Sequence, residues 1–366
     1  MKKIYIEAPC FGFGPISTSV SLANELKSKY DITFITYGEA LTFLKNSTNY
    51  SFLEIDTRYE ENFKKVLPLV DLDALFISNT NVAFSTFLFE NTLKVLIVDT
   101  LYWMWNDVPK QYAEHPYFIA QSYYGDNIAN LPTQKICKPI IDYKLWEGET
   151  APTSDDVLIS FGGMAEPGDH AYLIEYANWM VKRIADIIPN NLKNLHVVGG
   201  LFTVENEKYH DKNIHYLGAL SPLEYSYLVR ECKYLFVSPG LTSLYELLVN
   251  KHSFCLLPGL NVSQVYQAYH YNKENPCSNS ILWPDVEKLI YNFNILPELE
   301  GINYLEHYLT KELDRDVVDF VTPVRVYFKS LESGKESVEK TVYKQIFNHP
   351  GINELVLYYL DRMEEE

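Results

Sequence analysis

Short apolar runs alternate with helix-period patterns over the first 120 residues of the chain. Short unbroken apolar runs favour buried strands, whereas apolar residues three and four positions apart favour helices. Helices are predicted at 17–29 and 81–91. The predicted strands of this half are 4–8, 32–37, 51–55, 74–78, 93–98 and 117–120. Strands separated by helices predict a parallel sheet that is covered on both faces.

A polar stretch at 142–156 interrupts this alternation and contains EGETAPTSDD, a composition typical of a linker. The alternation then starts again. The second half has predicted strands at 157–160, 195–198, 214–216, 234–237 and 253–257, and predicted helices at 170–187, 222–232, 242–249 and 265–272. The remainder, from about 285 onward, favours helices and ends with an amphipathic one at 352–363.

The predicted fold class is therefore α/β, with two doubly wound parallel-sheet (Rossmann-like) domains facing a central cleft. The predicted boundaries are 1–145 for the N-terminal domain, 146–345 for the C-terminal domain and 346–366 for a C-terminal helix. We expect that last helix to pack back on the N-terminal domain.

The charge balance restricts the class of partner. The chain of 366 residues has 48 acidic against 31 basic residues and a formal net charge of −17, which disfavours nucleic acid and anionic lipid. Its five cysteines have no zinc-ligand spacing, and no apolar run approaches the length of a membrane span. We expect a soluble, cytoplasmic protein with no nucleic-acid partner and no membrane insertion; its oligomeric state is not readable from the sequence.

Glycine-rich turns follow three predicted strands of the second half: FGGM at 161–164, GG at 199–200 and SPGLTS at 238–243. Each turn by itself is compatible with ordinary turn chemistry. Ligands of open parallel sheets bind at the carboxyl ends of the strands, where glycines let backbone N–H groups approach an anion. Three such turns on one sheet predict a phosphorylated ligand.

Two residue pairs predict how helices begin near these turns. Ser221, followed by Pro222 and by Glu224, has the pattern of an N-terminal cap. Glu246 lies three residues after Ser243 and has two interpretations. It is either the acid of a capping box with Ser243, or a carboxylate that binds a ribose diol.

The segment SPGLTSLYELLVNKHSFCLLPGLNVSQVYQAY, together with the two-domain alternation, resembles the donor domain of GT-B glycosyltransferases, in particular the bacterial peptidoglycan N-acetylglucosaminyltransferase group. Motif similarity is confined to about 158–163, 217–224 and 236–268. The resemblance implies that 1–145 binds the acceptor and that 146–345 binds a nucleotide-sugar, with UDP-sugar favoured. It assigns the diphosphate to Gly162, Gly163, Gly240, Leu241, Thr242 and Ser243, the ribose to Glu246, the uracil to the backbone near Leu220, and the sugar to Ser263, Gln264 and Gln267.

The loop CFGFGPISTSVSLANEL departs from that family, because Pro15 stands where the family usually has a histidine. In its FGFGP run the loop also resembles the cytosylglucuronate-synthase-like enzymes. The resemblance places acceptor contacts at Phe13 and Gly14. No histidine occurs before residue 115, so another group must act as the base.

Inverting sugar transfer needs a base for the acceptor proton, and carboxylates that follow N-terminal strands are the candidates. We favour Asp99 over Glu7, with His115 in reserve. Alternatively, Asp99 caps a turn. The loop after Asp99 is aromatic, and its members are either acceptor contacts or packing residues: Tyr102, Trp103 and Trp105.

Metal ligands are not evident. Two DxD matches, at 71–73 and 314–316, carry little weight among 48 acids, and the first precedes a strand instead of following one. We expect no metal, with helix N-termini holding the diphosphate.

The predicted function is a metal-independent, inverting glycosyltransferase that moves a sugar from a nucleotide-sugar to a small-molecule acceptor. The resemblance implies that the nucleotide-sugar is a UDP-sugar. The alternatives are a UDP-sugar hydrolase or epimerase of the same fold, and a nucleotide-binding relative without catalysis. Acceptor specificity is expected to depend on the loops 11–16, 57–64 and 100–116, which contain no motif that identifies the acceptor.

Overall fold

The computed structural model describes residues 1–104, 112, 114–124, 135–148, 151–164, 171–274, 279–296, 298–315, 318–332, 343 and 346–365. Trp105 and Asp316, the last residue of the DxD match at 314–316, lie outside these residues. The chain divides into two compact units. Unit 1 comprises Met1–Asp142 and Lys344–Glu366, and unit 2 comprises Tyr143–Tyr343.

Unit 1 is built on a seven-stranded sheet with the order β3-β2-β1-β4-β5-β6-β7. All of its strand pairs are parallel. The strands are β1 (Lys2–Glu7), β2 (Tyr30–Thr36), β3 (Ser51–Glu54), β4 (Leu75–Asn79), β5 (Lys94–Asp99), β6 (Phe118–Gln121) and β7 (Ile136–Cys137), and the helices between them include α1 (Gly14–Leu26), α2 (Gly38–Ser47) and α3 (Val82–Glu90). The strand order reverses between β1 and β4, which is the position where doubly wound sheets bind ligands.

Unit 2 is built on a six-stranded sheet with the order β10-β11-β9-β8-β12-β13. Its strands are parallel except that β10 pairs antiparallel with β11. The strands are β8 (Ser154–Ser160), β9 (Asn194–Val198), β10 (Glu205–Tyr209), β11 (Lys212–Gly218), β12 (Cys232–Val237) and β13 (Cys255–Leu256). The helices are α4 (Tyr143–Trp146), α5 (Ala171–Ile187), α6 (Pro222–Glu231), α7 (Leu241–Asn250), α8 (Val262–Glu274), α9 (Val286–Ile295), α10 (Glu298–Arg315) and α11 (Val321–Glu332).

The predicted class of two parallel-sheet α/β units is confirmed, and two details of the prediction are corrected. The stretch 142–156 is not a linker throughout, because α4 buries Trp146 and β8 already begins at Ser154. Strands β7 and β10 were not predicted. β7 has only two residues, and β10 is an edge strand of largely exposed polar residues, so neither has the apolar run that marks a buried strand.

The last helix, α12 (Ile352–Glu365), belongs to unit 1 although it follows unit 2 in the chain. Its apolar face, with Ile352, Val356 and Leu360, joins the core cluster that α1 and the inner strands form. The Lys94 ammonium also donates to the Met363 carbonyl at 2.5 Å. Burial of this apolar stripe against α1 and β5 is what holds the C-terminus on unit 1.

Side chains from other parts of unit 2 hold the loop between β13 and α8 in place, because they donate hydrogen bonds to its carbonyl groups. The Tyr176 hydroxyl donates to the Pro258 carbonyl at 2.6 Å, and the Trp283 indole N–H donates to the Gly259 carbonyl at 2.7 Å. A Cβ atom on Gly259 would lie 2.4 Å from the backbone nitrogen of Val265. Only glycine therefore allows the loop to approach the first turn of α8 this closely.

We predict that Gly259→Ala destabilises the protein by about 1–3 kcal/mol, the usual cost of forcing extra atoms into a packed site. The added methyl group would meet backbone atoms, which cannot move without shifting α8. The measurement is the midpoint of thermal unfolding. The matched control is Gly301→Ala in α10, where the new Cβ would meet only the Phe293 ring at 3.8 Å. That control should unfold at or above the wild-type temperature, since alanine favours a helix over glycine. Equal midpoints for both variants would contradict the prediction.

Candidate functional site

The glycine turns of unit 2 lie side by side at the carboxyl edge of its sheet, and backbone hydrogen bonds join them. The Phe161 N–H donates to the Val198 carbonyl at 2.8 Å, and the Gly200 N–H donates to the Gly162 carbonyl at 2.9 Å. Gly162 has a φ of +69°, a conformation that residues with a Cβ rarely adopt. The turns that follow β8 and β9 thus form one connected surface of main-chain groups.

The turn after β12 leads directly into the N-terminus of α7. The Ser238 N–H donates to the Ser160 carbonyl at 2.8 Å, which fixes this turn beside the end of β8. Gly240 is the N-cap residue and therefore provides no side-chain cap for the first N–H groups of α7. The Ser238 hydroxyl is buried, and within the described residues no group forms a hydrogen bond with its oxygen. Uncapped N–H groups at a helix N-terminus attract anions.

Glu246 does not belong to a capping box, so that interpretation of the sequence is wrong. Because the N-cap is Gly240, Ser243 lies inside the first turn of α7 and cannot cap it. Glu246 lies a further turn along the helix with only 8% of its surface exposed. Glutamate side chains are rarely buried to this extent, so the burial of Glu246 must have a reason other than capping.

Tyr225 of α6 is a neighbour of this carboxylate that the sequence did not indicate. Its hydroxyl lies close to the Ser160 and Ser243 side chains and near Glu246, and burial raises the pKa of Tyr225. Within the described residues none of these groups forms a well-directed hydrogen bond with the hydroxyl. The Trp146 ring packs edge-on against Tyr225, with 5.9 Å between the ring centroids. Tyr225 therefore joins α4 to the serine hydroxyls under the N-terminus of α7.

The predicted start of α6 at Ser221 is confirmed. The Ser221 hydroxyl accepts from the Glu224 N–H at 3.3 Å, and the Ser221 N–H donates to the Glu224 carboxylate at 2.9 Å. This capping box lowers the pKa of Glu224, first through the Ser221 side chain and then through its backbone. Leu220, the residue assigned to a base, precedes this cap and is half-buried.

The residues assigned to the sugar lie at the start of α8. The Ser263 hydroxyl donates to Asn261 Oδ1 at 2.9 Å, and Gln264 Oε1 accepts from the Leu260 N–H at 3.2 Å. These bonds fix the loop but leave the Gln264 amide nitrogen as a donor. Gln267 is buried.

At the carboxyl edge of unit 1, Glu7 is buried and holds three elements together. Its Oε1 accepts from the Thr57 hydroxyl at 2.6 Å and from Asn81 Nδ2 at 3.0 Å, and its Oε2 accepts from the Ser78 hydroxyl at 2.9 Å. Asn81 is in turn the N-cap of α3. Burial raises the pKa of Glu7 to about 7, against the opposing effect of these hydrogen bonds.

Asp99 is the last residue of β5, at the same edge, and is also fully buried. Its Oδ1 accepts from the Leu101 N–H at 2.8 Å, and its Oδ2 accepts from the Tyr112 hydroxyl at 2.9 Å. The first of these bonds is the turn-capping role that the sequence left open. Both carboxylates thus act as hydrogen-bond acceptors that position loops in this state of the protein.

His115 is not in contact with either carboxylate in the described part of the chain. Its Nδ1 accepts from the Tyr117 N–H at 3.2 Å, and its ring meets Phe89, in the last turn of α3, edge-on at 5.0 Å. Burial lowers the pKa of His115. Glu7 lies at the N-terminus of α3, where it binds the cap residue Asn81, whereas His115 packs on Phe89 near the C-terminus of α3. His115 and Glu7 are therefore at opposite ends of this helix.

The aromatic residues assigned to the acceptor are largely packing residues. Phe13 precedes Gly14, the first residue of α1, and packs against Phe43 with 5.2 Å between centroids. Trp103 stacks on Tyr123 at 4.0 Å and is only 1% exposed. Tyr102 is half-buried against Phe118. The Trp103 ring is buried in the core of unit 1, whereas the Tyr102 ring is partly exposed to solvent.

Asn79, which the sequence did not single out, connects the first turns of α1 to β4. Its Nδ2 lies 2.9 Å from the Pro15 carbonyl and from the Thr18 and Ser19 hydroxyls. The Thr80 hydroxyl donates to Asn79 Oδ1 at 2.8 Å. An asparagine at a strand end gives no sign in the sequence of a partner more than 60 residues away, so only the fold reveals this contact.

Among the residues that the structure describes, no group of three or more His, Cys, Asp or Glu side chains is arranged around a possible metal ion. None of the helices within those residues combines the length and the apolar character required to cross a membrane.

Comparison with known proteins gives a clear result for the fold. No protein-family profile matches the chain. The spinosyn rhamnosyltransferase SpnG complexed with thymidine diphosphate aligns over 100% of both chains, with a TM-score of 0.54 and 11% identity. The glycotransferase of kitacinnamycin aligns over 99% of this chain and 98% of its own, with a TM-score of 0.52 and 9% identity. UGT89C1 of Arabidopsis thaliana complexed with quercetin aligns over 98% and 99%, with a TM-score of 0.51 and 10% identity. At these identities the likeness shows the GT-B fold.

One curated relative matches part of the chain. It is the pseudaminic acid cytidylyltransferase and UDP-2,4-diacetamido-2,4,6-trideoxy-beta-L-altropyranose hydrolase of Helicobacter pylori, which is 30% identical over 116 residues. The match covers 32% of this chain and 19% of that protein. The chain therefore spans about a fifth of the length of this relative.

Glu7 predicts a pH dependence of stability. Its folded pKa of about 7 lies above the ordinary glutamate value of 4.5, so between these pH values the folded state retains a proton that the unfolded state has lost. Stability from this group is thus greatest below about pH 4.5, falls as the pH rises to 7 and is constant above it, a change of about 2–4 kcal/mol. Glu7→Gln, which resembles the protonated form, should abolish this change.

The measurement is urea unfolding of wild type and Glu7→Gln at pH 5 and pH 8. The variant should gain stability relative to wild type at the higher pH. Glu287→Gln, an exposed acid of α9, is the control and should follow wild type at both pH values. A Glu7→Gln variant with the wild-type pH dependence would show that Glu7 is ionised in the folded protein throughout this range.

Proposed function

We propose that the chain is a glycosyltransferase that moves a sugar from a nucleotide-sugar, most simply a UDP-sugar, to a small-molecule acceptor. The observation that carries this proposal is the N-terminus of α7. Its first N–H groups have no side-chain cap, and the hydroxyl of Ser238, two residues before the N-cap Gly240, is buried with no partner within the described residues. An anionic diphosphate would satisfy both kinds of donor.

The residues around this terminus provide a consistent set of ligand contacts. We assign the diphosphate to Gly240–Ser243 and to the Gly162–Gly163 turn, which follows the neighbouring strand β8. Glu246 is assigned to the ribose and the backbone at Leu220 to the base. Ser263, Gln264 and Gln267 are assigned to the sugar. Because N–H donors hold the diphosphate, the reaction is proposed to need no metal.

The solved structures support the nucleotide part of this proposal by analogy. SpnG is described with thymidine diphosphate and, in another structure, with spinosyn aglycone. UGT89C1 is described with UDP-L-rhamnose and with quercetin. A nucleoside-diphosphate donor and a small-molecule acceptor are therefore the ligands we propose for this chain, and unit 1 is proposed to bind the acceptor.

A second candidate function is hydrolysis of a UDP-sugar. The name of the Helicobacter pylori relative includes a UDP-sugar hydrolase activity, and that relative has 30% identity to part of this chain. Transfer and hydrolysis share the donor site and differ in the nucleophile, which is an acceptor hydroxyl in one and water in the other.

A donor screen followed by product analysis tests both functions. UDP-, GDP- and dTDP-sugars are first compared by thermal shift in the presence of EDTA, with and without Mn²⁺. The stabilising donor is then incubated with a mixture of small hydroxylated compounds. Release of UDP that depends on the acceptor, with a glycosylated product in the mass spectrum, supports transfer. Free sugar formed at the same rate without acceptor establishes hydrolysis, and absence of any stabilising donor would refute both.

We predict that Glu246→Ala weakens UDP binding by about 1.5–3 kcal/mol, the range for a hydrogen bond to a charged group. Glu246→Gln should lose less. Isothermal titration with UDP and with 2′,3′-dideoxy-UDP identifies the contact, because only UDP has the ribose hydroxyls. Wild type should prefer UDP and Glu246→Ala should not. Glu231→Ala, an exposed acid of α6, should bind like wild type. If Glu246→Ala weakens both ligands equally, Glu246 does not bind ribose.

The base is proposed to be Asp99, with Glu7 and then His115 as the next candidates. Asp99→Asn should lower turnover by roughly 10²–10⁴, the usual contribution of a positioned base, while UDP affinity stays within about twofold. Tyr112→Phe is the matched control, because it removes the hydroxyl that donates to Asp99 Oδ2 but keeps the carboxylate. If both variants lose thermal stability alike and Asp99→Asn keeps its turnover, Asp99 is an anchor of its loop and Glu7→Gln is tested next.

A further inference from the structure

Three aromatic side chains are exposed at the carboxyl ends of adjacent strands of unit 1. Phe11 follows β1, Tyr37 follows β2 and Tyr59 follows β3, and they are 45%, 41% and 48% exposed. Because β3, β2 and β1 are neighbours in the sheet, all three rings lie at one corner of its carboxyl edge. Single exposed aromatic residues are common on protein surfaces, whereas a group of them at one place is typical of a site that binds a ligand or partner.

The loops that carry these rings are fixed to one another. The Thr36 hydroxyl donates to the Ala8 carbonyl at 2.8 Å, and the Ile55 N–H donates to the Thr36 carbonyl at 3.2 Å. The buried Cys10 thiol lies 3.5 Å from Glu39 Oε2. The rings are therefore presented by a rigid support, as preorganised binding requires.

The rings are available to a ligand. In the part of the chain that the structure describes, no other aromatic ring packs on Phe11 or Tyr37. The Arg58 guanidinium lies 5.7 Å from the Tyr59 ring centroid and is held by Asp56 through bonds of 2.9 and 2.7 Å. The Asp56 carboxylate neutralises the positive charge of Arg58. The negative charge of the other acids nearby is therefore not neutralised by Arg58.

The charges around the rings are mainly negative. Glu39 lies in the first turn of α2, two residues after Tyr37, and Glu60 and Glu61 follow Tyr59 directly. The nearest further cations in the sequence are Lys64 and Lys65, one turn later, and Lys65 bonds to the Asn62 side chain. Such a surface attracts a cation and repels an anion.

We propose that this acceptor rim, formed by Phe11, Tyr37, Glu39, Arg58 and Tyr59, binds the acceptor, and that the acceptor is a ring compound that carries an amino group. The proposal rests on the proposed function and names its acceptor class. Aromatic faces bind the apolar face of a ring and attract an ammonium group, and the Glu39 carboxylate is placed to pair with that group. A phosphorylated or carboxylated acceptor would meet like charge at the same place.

The test measures binding without the donor, so its outcome does not depend on whether the chain transfers a sugar. The probes are the phenyl glycosides of glucosamine, glucose and glucuronic acid, which share one ring and differ in charge. Titration at low ionic strength should give the tightest binding for the amine and the weakest for the carboxylate, with about a threefold to thirtyfold range. The range should narrow in high salt, because exposed charges are screened.

Two variants with matched controls locate the site. Glu39→Gln should remove most of the preference for the amine over the neutral glycoside, and Tyr37→Ala should weaken all three probes by about fivefold or more. Glu287→Gln and Tyr291→Ala, an exposed acid and an exposed ring on α9 of unit 2, should leave all affinities unchanged. Thermal unfolding midpoints confirm that each variant is folded.

The outcomes separate this inference from the proposed function. Equal binding of the three probes, or equal effects of the rim variants and their controls, would overturn the acceptor rim even in an active transferase. Selective amine binding that Glu39→Gln abolishes would support the rim even if no donor is turned over, in which case the proposed function alone would fail.

Discussion

Parallel strands place all of their carboxyl ends at one edge of a sheet, and this constraint determines where both units of the protein can bind ligands. In unit 2 the ends of β8, β9, β11 and β12 meet at one edge, so turns that are far apart in the chain become neighbours. The hydrogen bond from the Gly200 N–H to the Gly162 carbonyl is a direct result. The strand ends have no further sheet partners, which leaves their backbone groups for loops or ligands.

The two units use this edge in different ways. In unit 1, side chains occupy it. Glu7 joins β1 to the Thr57 loop, to β4 and to the cap of α3, and Asn79 donates to the Pro15 carbonyl in the first turn of α1. In unit 2, the N-terminus of α7 has no side-chain cap, and Ser238 keeps a buried hydroxyl that no described group satisfies. Buried polar groups are normally paired. The unpaired hydroxyl is therefore the stronger indication of a ligand.

Burial has a particular consequence for the acids of unit 1. A carboxylate that leaves water loses solvation, and hydrogen bonds recover only part of that free energy. For Glu7, burial outweighs four opposing hydrogen bonds, and the pKa rises to about 7. Glu7 can therefore carry a proton at neutral pH while it also organises three loops. Structural and chemical roles are not mutually exclusive at such a residue.

The sequence by itself determined the fold class, most of the strands and the position of the glycine turns, because these depend on local hydrophobic period and on backbone conformation. The cap at Ser221 was predictable for the same reason, since its partner is three residues away. The sequence could not decide between a capping box and another role for Glu246, and only the position of Gly240 as N-cap excluded the box. Nor could it show that Trp103 is buried, that Glu7 and Asp99 each anchor loops, or that Phe11, Tyr37 and Tyr59 lie at the same edge of the sheet. Those contacts join residues that are distant in the chain, and packing determines them.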